Sequence, residues 1–204
     1  MTIYSDLKYY DKFRNPVVEN ITVKRNILDF PVFLRQRTGV WVRSNLLRAY
    51  SVAWADVPAN YLRAVPMLIP QRARLSGFGI RVYAAGGAGA QGRVGIYTDD
   101  GNFYPKSLVP GTELVIDMST AGDKFSAIDV VLDRGIYWMA EVHNDGTVDL
   151  IRMYTDFYLI NYGENASIWR VAYTYGALPS TFPSGATATD EGIEFRYRIA
   201  EYLD

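Results

Sequence analysis

The chain has 204 residues, of which 49% are hydrophobic and 14% aromatic, and its formal net charge at pH 7 is −1. That length suits one domain of ordinary size with a full hydrophobic core, since a chain of this size buries roughly 70–75% of its unfolded surface. The absence of cysteine excludes disulfides, a thiol nucleophile and thiolate metal sites, and no run of about 18 apolar residues predicts a membrane span.

The first 40 residues show no sustained period of two or 3.6 and lack the apolar segment of a secretion signal. We therefore expect a soluble protein made in the cytoplasm. Isolated apolar residues among charges and prolines are typical of a segment that packs against another surface. We interpret residues 1–40 as an arm that contacts neighbouring subunits, or as a lead-in strand of the following domain. An arm would make its assembly contacts through Phe13, Phe30, Phe33, Arg35 and Arg37.

From residue 40 onward, short runs rich in β-branched and aromatic residues are separated by turn formers. The predicted strands are 40–42, 61–69, 74–83, 93–97, 113–118, 125–132, 136–142, 148–154, 169–175 and 193–199. In the last of these, four apolar side chains share one face and charged side chains the other. About ten short strands without helical stretches predict an all-β fold, a jelly-roll-like antiparallel β-sandwich over residues 41–204.

Glycine, asparagine and aspartate mark the connections between these strands. Asn144–Gly146 predicts a hairpin that joins 136–142 to 148–154. The run Gly87–Gly92 matches the G-x-G-x-x-G fingerprint, but dinucleotide binding requires a helix directly after it. A strand pattern follows instead, so we interpret this run as a hairpin loop and expect no bound cofactor. Residues 176–192, rich in Gly, Pro, Ser, Thr and Ala, predict a long surface loop.

Residue types that carry catalysis or bind metals are sparse. His143 is the only histidine and lies beside a predicted turn, so we interpret it as a polar hairpin residue and predict neither a catalytic triad nor a zinc site. Asp99–Asn102 has oxygen ligands for Ca²⁺ but not the spacing of an EF-hand loop, so a turn is favoured. Paired carboxylates could support glycoside cleavage, but solvated surface is the favoured interpretation of those in the second half. These include Asp117, Asp123, Asp129, Asp133, Glu141 and Asp149.

Aromatic residues are concentrated in the last third of the chain. Flat rings bind the apolar faces of sugars, although core packing and subunit contact are their commoner uses. Tyr173 and Tyr175 are predicted to share one face of a strand. The candidates for glycan or subunit contact are Tyr158, Tyr162, Trp169, Tyr173 and Tyr175, with Tyr154 nearby.

Charge is distributed unevenly along the chain. Residues 1–93 contain 14 basic and 5 acidic residues, whereas residues 94–204 contain 7 basic and 17 acidic ones. The basic residues are scattered rather than clustered, which argues against nucleic-acid binding. We favour opposite surfaces that meet between neighbouring subunits, because complementary potentials set orientation.

A series of short motifs lies between Tyr61 and Val142, at Leu62–Pro66, Arg93–Gly101, Pro105–Leu108, Gly111, Asp117–Gly122 and Leu132–Ala140. With these motifs the region resembles a module of tailed-bacteriophage virion proteins. The resemblance implies a β-sandwich of jelly-roll or carbohydrate-binding type, found in decoration or cement proteins, fibres and tail components. It brings no catalytic residues. Its motif residues are expected to be architectural, with Gly95, Gly101 and Gly135 at close or turning backbone and Ile96, Tyr97, Tyr137 and Trp138 in the core.

Together these patterns lead to a hypothesis of a non-catalytic virion structural protein without cofactor or bound metal. A capsid decoration or cement protein is preferred over a tail or fibre component. The expected partners are other virion proteins and further copies of the chain, with a trimer favoured, and not nucleic acid or membrane. The expected location is the virion, after synthesis in the host cytoplasm. The alternative is a glycan-binding module for attachment to the host surface.

Overall fold

The computed structural model describes residues 10–11, 15–16, 36–43, 50–54, 57–154, 168–189 and 192–203, with side chains for 36–43, 57–151, 168–189 and 192–203. The chain divides into two compact units, Met1–Phe33 and Leu34–Asp204. In the first unit, β1 (Tyr10–Asp11) pairs with β2 (Asn15–Pro16) in antiparallel fashion. The predicted arm, 1–40, thus contains the whole first unit and the first residues of the second.

The described residues of the second unit form β-strands and no helix, so no helix there could cross a membrane. The strands are β3 (Trp41–Arg43), β4 (Tyr50–Trp54), β5 (Tyr61–Ile69), β6 (Ala73–Ala84), β7 (Gln91–Asp99), β8 (Pro105–Leu108), β9 (Leu114–Asp117), β10 (Gly122–Ser126), β11 (Val130–Leu132), β12 (Gly135–His143), β13 (Asp149–Tyr154), β14 (Ile168–Ala172), β15 (Thr187–Thr189), β16 (Gly192–Ile193) and β17 (Phe195–Tyr202). More strands appear than were predicted because some predicted runs divide and because several edge strands have only two to five residues. The run 125–132, for example, divides into β10 and β11 around residues 127–129.

Two antiparallel sheets pack face to face, which confirms the predicted all-β sandwich. One sheet has eight strands: β3, β4, β6, β10, β11, β13, β16 and β17. The other has seven: β5, β7, β8, β9, β12, β14 and β15. The chain changes sheet repeatedly, the alternation expected of a jelly-roll-like fold. It does so between β4 and β5, β5 and β6, β6 and β7, β9 and β10, β11 and β12, β12 and β13, β13 and β14, and β15 and β16.

Both predicted hairpins are wrong, because each connection crosses between the sheets. Strand β12 has β5 on one side and β7 on the other, so neither edge is left for β13. Asn144–Gly146 therefore leads into the eight-stranded sheet, and Gly87–Gly92 leads out of it. The two crossovers are bonded to each other: Gly87 N donates to Asp145 Oδ2 at 2.8 Å and Gln91 N to Asn144 Oδ1 at 2.8 Å.

An inner core fills the space between the two sheets. Apolar side chains on facing strands exclude water there, with Val65, Phe78, Ile96, Met139 and Tyr197 among the fully buried members. Phe78 and Phe195 stack with ring centroids 5.7 Å apart. The burial of these apolar side chains is the main source of stability in a domain without disulfides.

A second, outer core covers the other face of the seven-stranded sheet, and residues 173–186, here called the covering segment, close it. Leu178 and Phe182 of this segment are buried. The prediction of a surface loop over 176–192 is therefore wrong for these side chains. Gly95 makes room for the segment, since a Cβ there would lie 2.5 Å from Leu178 Cδ1. Backbone bonds fix it, with Leu108 N donating to Ser180 O at 2.9 Å.

Candidate functional site

Two of the predicted contact aromatics are used inside the fold. Trp169 lies half-buried on β14, and its Nε1 donates to the carbonyl of Phe103 at 2.9 Å. Its ring packs edge-on against Tyr104, with centroids 4.9 Å apart. The Tyr173 hydroxyl donates to the carbonyl of Ala177 at 2.6 Å. The first bond ties β14 to the loop after β7, and the second lies within the covering segment.

Tyr173 and Tyr175 lie beyond the end of β14 at Ala172, not within a strand as predicted. Tyr175 is half-buried, and its hydroxyl bonds to Gln91 Oε1 at 3.2 Å. Among the other predicted contact residues, Tyr158 and Tyr162 of the aromatic group and Phe13, Phe30, Phe33 and Arg35 of the arm lie outside the described residues, as does the side chain of Tyr154. Arg37 is exposed.

The two main pieces of the resemblance form neighbouring strands. Trp138 of β12 lies directly across from Tyr97 of β7, and both side chains are fully buried in the outer core. Trp138 Nε1 donates to Asp99 Oδ2 at 2.8 Å, and its ring packs edge-on against Phe103 at 4.8 Å. Burial raises the pKa of the Tyr97 hydroxyl, which donates to the carbonyl of Pro179 at 2.8 Å.

The acidic turn after β7 uses its carboxylates on its own backbone. Asp99 Oδ1 accepts from Gly101 N at 2.7 Å, and Asp100 Oδ1 accepts from Asn102 N at 2.7 Å. Gly101 has φ of 95°, which favours glycine. This geometry agrees with the turn interpretation. Nowhere in the described ranges do three His, Cys, Asp or Glu side chains converge as metal ligands would.

Ion pairs explain the uneven charge distribution. Strands from the basic half pair with strands from the acidic half, so opposite charges meet within one chain. Within the described residues the pairs that join the two halves include Arg43–Glu194, Arg63–Glu141, Arg72–Asp133, Arg74–Asp129, Arg74–Glu201, Arg81–Asp123 and Arg93–Glu113. The exposed ones contribute at most about 1 kcal/mol each. Among the described residues, the basic and acidic halves thus balance each other largely within one chain.

Several of the candidate acid–base carboxylates lie on the surface. Asp123, Asp129 and Asp133 are exposed and lie in the ion pairs just named. Asp117 is exposed as well, and hydrogen bonds from Ser119 hold its pKa below the usual range. This agrees with the interpretation of these four residues as solvated surface. Asp149 is half-buried at the start of β13.

Arg63, Glu141 and His143 form a charge cluster with 0% exposure in the interior of the sandwich. The interpretations of His143 as a hairpin residue and of Glu141 as solvated surface are wrong. His143 Nδ1 lies 2.5 Å from Glu141 Oε1, and its Nε2 lies 3.0 Å from the carbonyl of Val57. Arg63 Nη1 lies 3.8 Å from Glu141 Oε2.

Sequence reasoning missed this cluster because Glu141 and His143 alternate with Val142, the pattern of a strand with one wet face. The available signal was Arg63, a charged residue within the apolar run 62–69 of β5. A strand buried on both faces accepts a charge only with a partner. Glu141 lies opposite Arg63 across the β5–β12 ladder and is that partner.

Comparison with known proteins adds no relationship to this geometry. No protein-family model matches the chain, and no curated protein sequence matches it.

Proposed function

We propose that this chain is a non-catalytic structural protein of a bacteriophage particle, as a capsid decoration or cement protein or, failing that, a tail or fibre component. It would be made in the host cytoplasm and carried in the virion. The observation that carries the proposal is that the residues of the resembling motifs pack against each other inside the fold. Trp138, Tyr97 and Asp99 pack and bond with each other across neighbouring strands, so the similarity to virion modules lies in packing.

The outer faces of the two sheets support a structural role over a role in attachment to the host. One face of the seven-stranded sheet is closed by the covering segment. On the outer face of the other sheet Trp41 stacks on Phe125, with centroids 4.3 Å apart, and Arg198 lies over the Trp41 ring at 5.2 Å. The ring of Trp41 and the indole N–H groups of Trp138 and Trp169, which a sugar could contact, are thus already used within the fold. A glycan-binding module therefore draws less support.

Self-association is part of the proposal, with a trimer favoured and the first unit as the contact. Because many charges of the described second unit pair within the chain, we expect assembly not to depend on opposite surface potentials. We expect light scattering to give the mass of a trimer or larger ring at both low and high salt. A monomer at every concentration would contradict self-association. Dissociation to a monomer at high salt would show that opposite charges on neighbouring subunits hold the oligomer together.

Deletion of residues 1–33 should yield a folded monomer. This boundary keeps Gln36 N bonded to the Tyr202 hydroxyl at 2.8 Å and Gly39 N bonded to the Ile199 carbonyl at 2.8 Å. Circular dichroism would check folding and light scattering the mass. Deletion of 1–40 is the matched comparison, and we expect lower stability because it removes both bonds. An oligomer that survives the shorter deletion would exclude the first unit as its contact.

A further inference from the structure

The charge cluster contains one proton whose position the hydrogen-bond geometry dictates. His143 lies between the carboxylate of Glu141 and the carbonyl of Val57, and both of these groups accept hydrogen bonds. The ring therefore bonds to both groups only as an imidazolium, with a proton on each nitrogen. A neutral ring has one N–H, which stays on Nδ1 beside the Glu141 carboxylate, so the Nε2 lone pair would face the Val57 carbonyl oxygen at 3.0 Å. Loss of the Nε2 proton thus turns the contact with Val57 from an attraction into a repulsion, in a site with no access to water.

The cluster holds the segment Val57–Asn60, which leads into β5. His143 Nε2 bonds to the carbonyl of Val57, and Arg63 Nη2 donates to the carbonyl of Pro58 at 2.9 Å. Asn60 N donates to the carbonyl of His143 at 2.9 Å. Val57 N also donates to the carbonyl of Val148 at 3.2 Å. Two charged side chains and these two backbone bonds thus fix a segment that has no sheet partner of its own.

Asn60 connects this segment to the start of the covering segment. Its carbonyl accepts from Tyr173 N at 2.9 Å, and its Oδ1 accepts from Tyr175 N at 2.8 Å. Asn60 has φ of 60°, a conformation that its surroundings must hold in place. Release of Val57–Asn60 would therefore remove two bonds that dock the covering segment over the outer core.

We propose that Arg63, Glu141 and His143 act as a proton-dependent latch that keeps Val57–Asn60, and through Asn60 the start of the covering segment, closed over the outer core. The latch is closed while both ring nitrogens of His143 carry a proton and opens when Nε2 loses its proton. Opening would expose aromatic side chains of the outer core for contact with another surface.

The charged groups around His143 decide the direction of the pH dependence. Burial alone lowers its pKa, but the adjacent Glu141 carboxylate and the Val57 carbonyl outweigh burial and the repulsion from Arg63, so the pKa is raised. Asp145 in the following turn adds a further negative charge. Arg170 of β14 lies directly opposite Arg63 in the ladder between β5 and β14. An imidazole with a raised pKa stabilises the closed form below the ordinary value of about 6.5, and this stabilisation is lost as pH rises through the raised value.

A pH titration by NMR tests the latch in the full chain, and the single histidine makes its ring signals unambiguous. We expect His143 to titrate above the ordinary imidazole value. Hydrogen-exchange protection of the Asn60, Tyr173 and Tyr175 amides, corrected for intrinsic rates, should fall with the same midpoint. The fall should be about tenfold for each pH unit between the ordinary and the raised pKa. Amides of the β6–β10 ladder should stay protected.

Two results would overturn the proposal: titration at or below the ordinary value, or titration above it with unchanged protection of these three amides. In Glu141→Gln the amide can donate to neutral His143, so the pH dependence of protection should disappear. Asp123→Asn is the control: it removes an exposed carboxylate near Arg81, and the pH dependence of amide protection should remain. If Glu141→Gln does not fold, the titration of the unmodified protein still decides.

Discussion

Replacement of Trp138 with alanine should lower the free energy of unfolding by about 4–5 kcal/mol, the largest effect expected of a single substitution here. The side chain is fully buried between β7 and the residues that follow it, and truncation leaves a cavity beside Phe103. It also leaves Asp99 Oδ2 without its indole donor. Urea denaturation followed by far-ultraviolet circular dichroism would measure the change.

Trp138→Phe is the matched control, because it keeps most of the ring and loses the bond to Asp99. Its expected cost is smaller, about 1–2 kcal/mol. A loss below about 1 kcal/mol for the alanine variant would contradict the role of these neighbouring strands as the packing centre of the outer core.

Trp169→Ala should cost about 3 kcal/mol, less than Trp138→Ala because Trp169 is only half-buried. The loss combines ring packing against Tyr104 with the bond to the Phe103 carbonyl. The same denaturation measurement applies. The result separates the two proposed uses of the aromatic group, since a residue reserved for ligands contributes little to stability.

Tyr83 supplies the control for Trp169, as an aromatic residue with 56% exposure. Tyr83→Ala should change stability by no more than about 0.5 kcal/mol. If Trp169→Ala were equally mild and abolished binding to host-surface polysaccharide, Trp169 would belong to an attachment surface and the glycan-binding alternative would be correct.

The fold class could be predicted from the sequence because strands and turns depend on residues that are close together in the chain. Alternation in 193–199 depends on neighbours two residues away, and turn residues such as Gly101 act within four residues. Pairing partners are a different matter. Asn144–Gly146 is compatible with a hairpin, and it becomes a crossover only because β5 and β7 occupy both sides of β12. Nothing within the turn encodes that.

The outer core escaped prediction for a related reason. Residues 176–192 have the composition of a loop, and Leu178 and Phe182 are isolated apolar residues within it. Their burial depends on a surface formed by β7 and β12, distant in sequence, with Gly95 providing the space. Similarly, the charge asymmetry is visible in the sequence, but the pairing of basic with acidic strands among the described residues follows from topology.

The protein composition of purified tailed-phage particles whose genome encodes this chain is the most direct test of a structural role. We expect the chain to remain with the particles through gradient purification, in many copies per particle, and to leave only when the particles are dissociated. A copy number that matches the capsid subunits would identify a decoration or cement protein, and a low fixed number a tail or fibre component. Recovery of the chain solely in the unassembled lysate would contradict the proposed function.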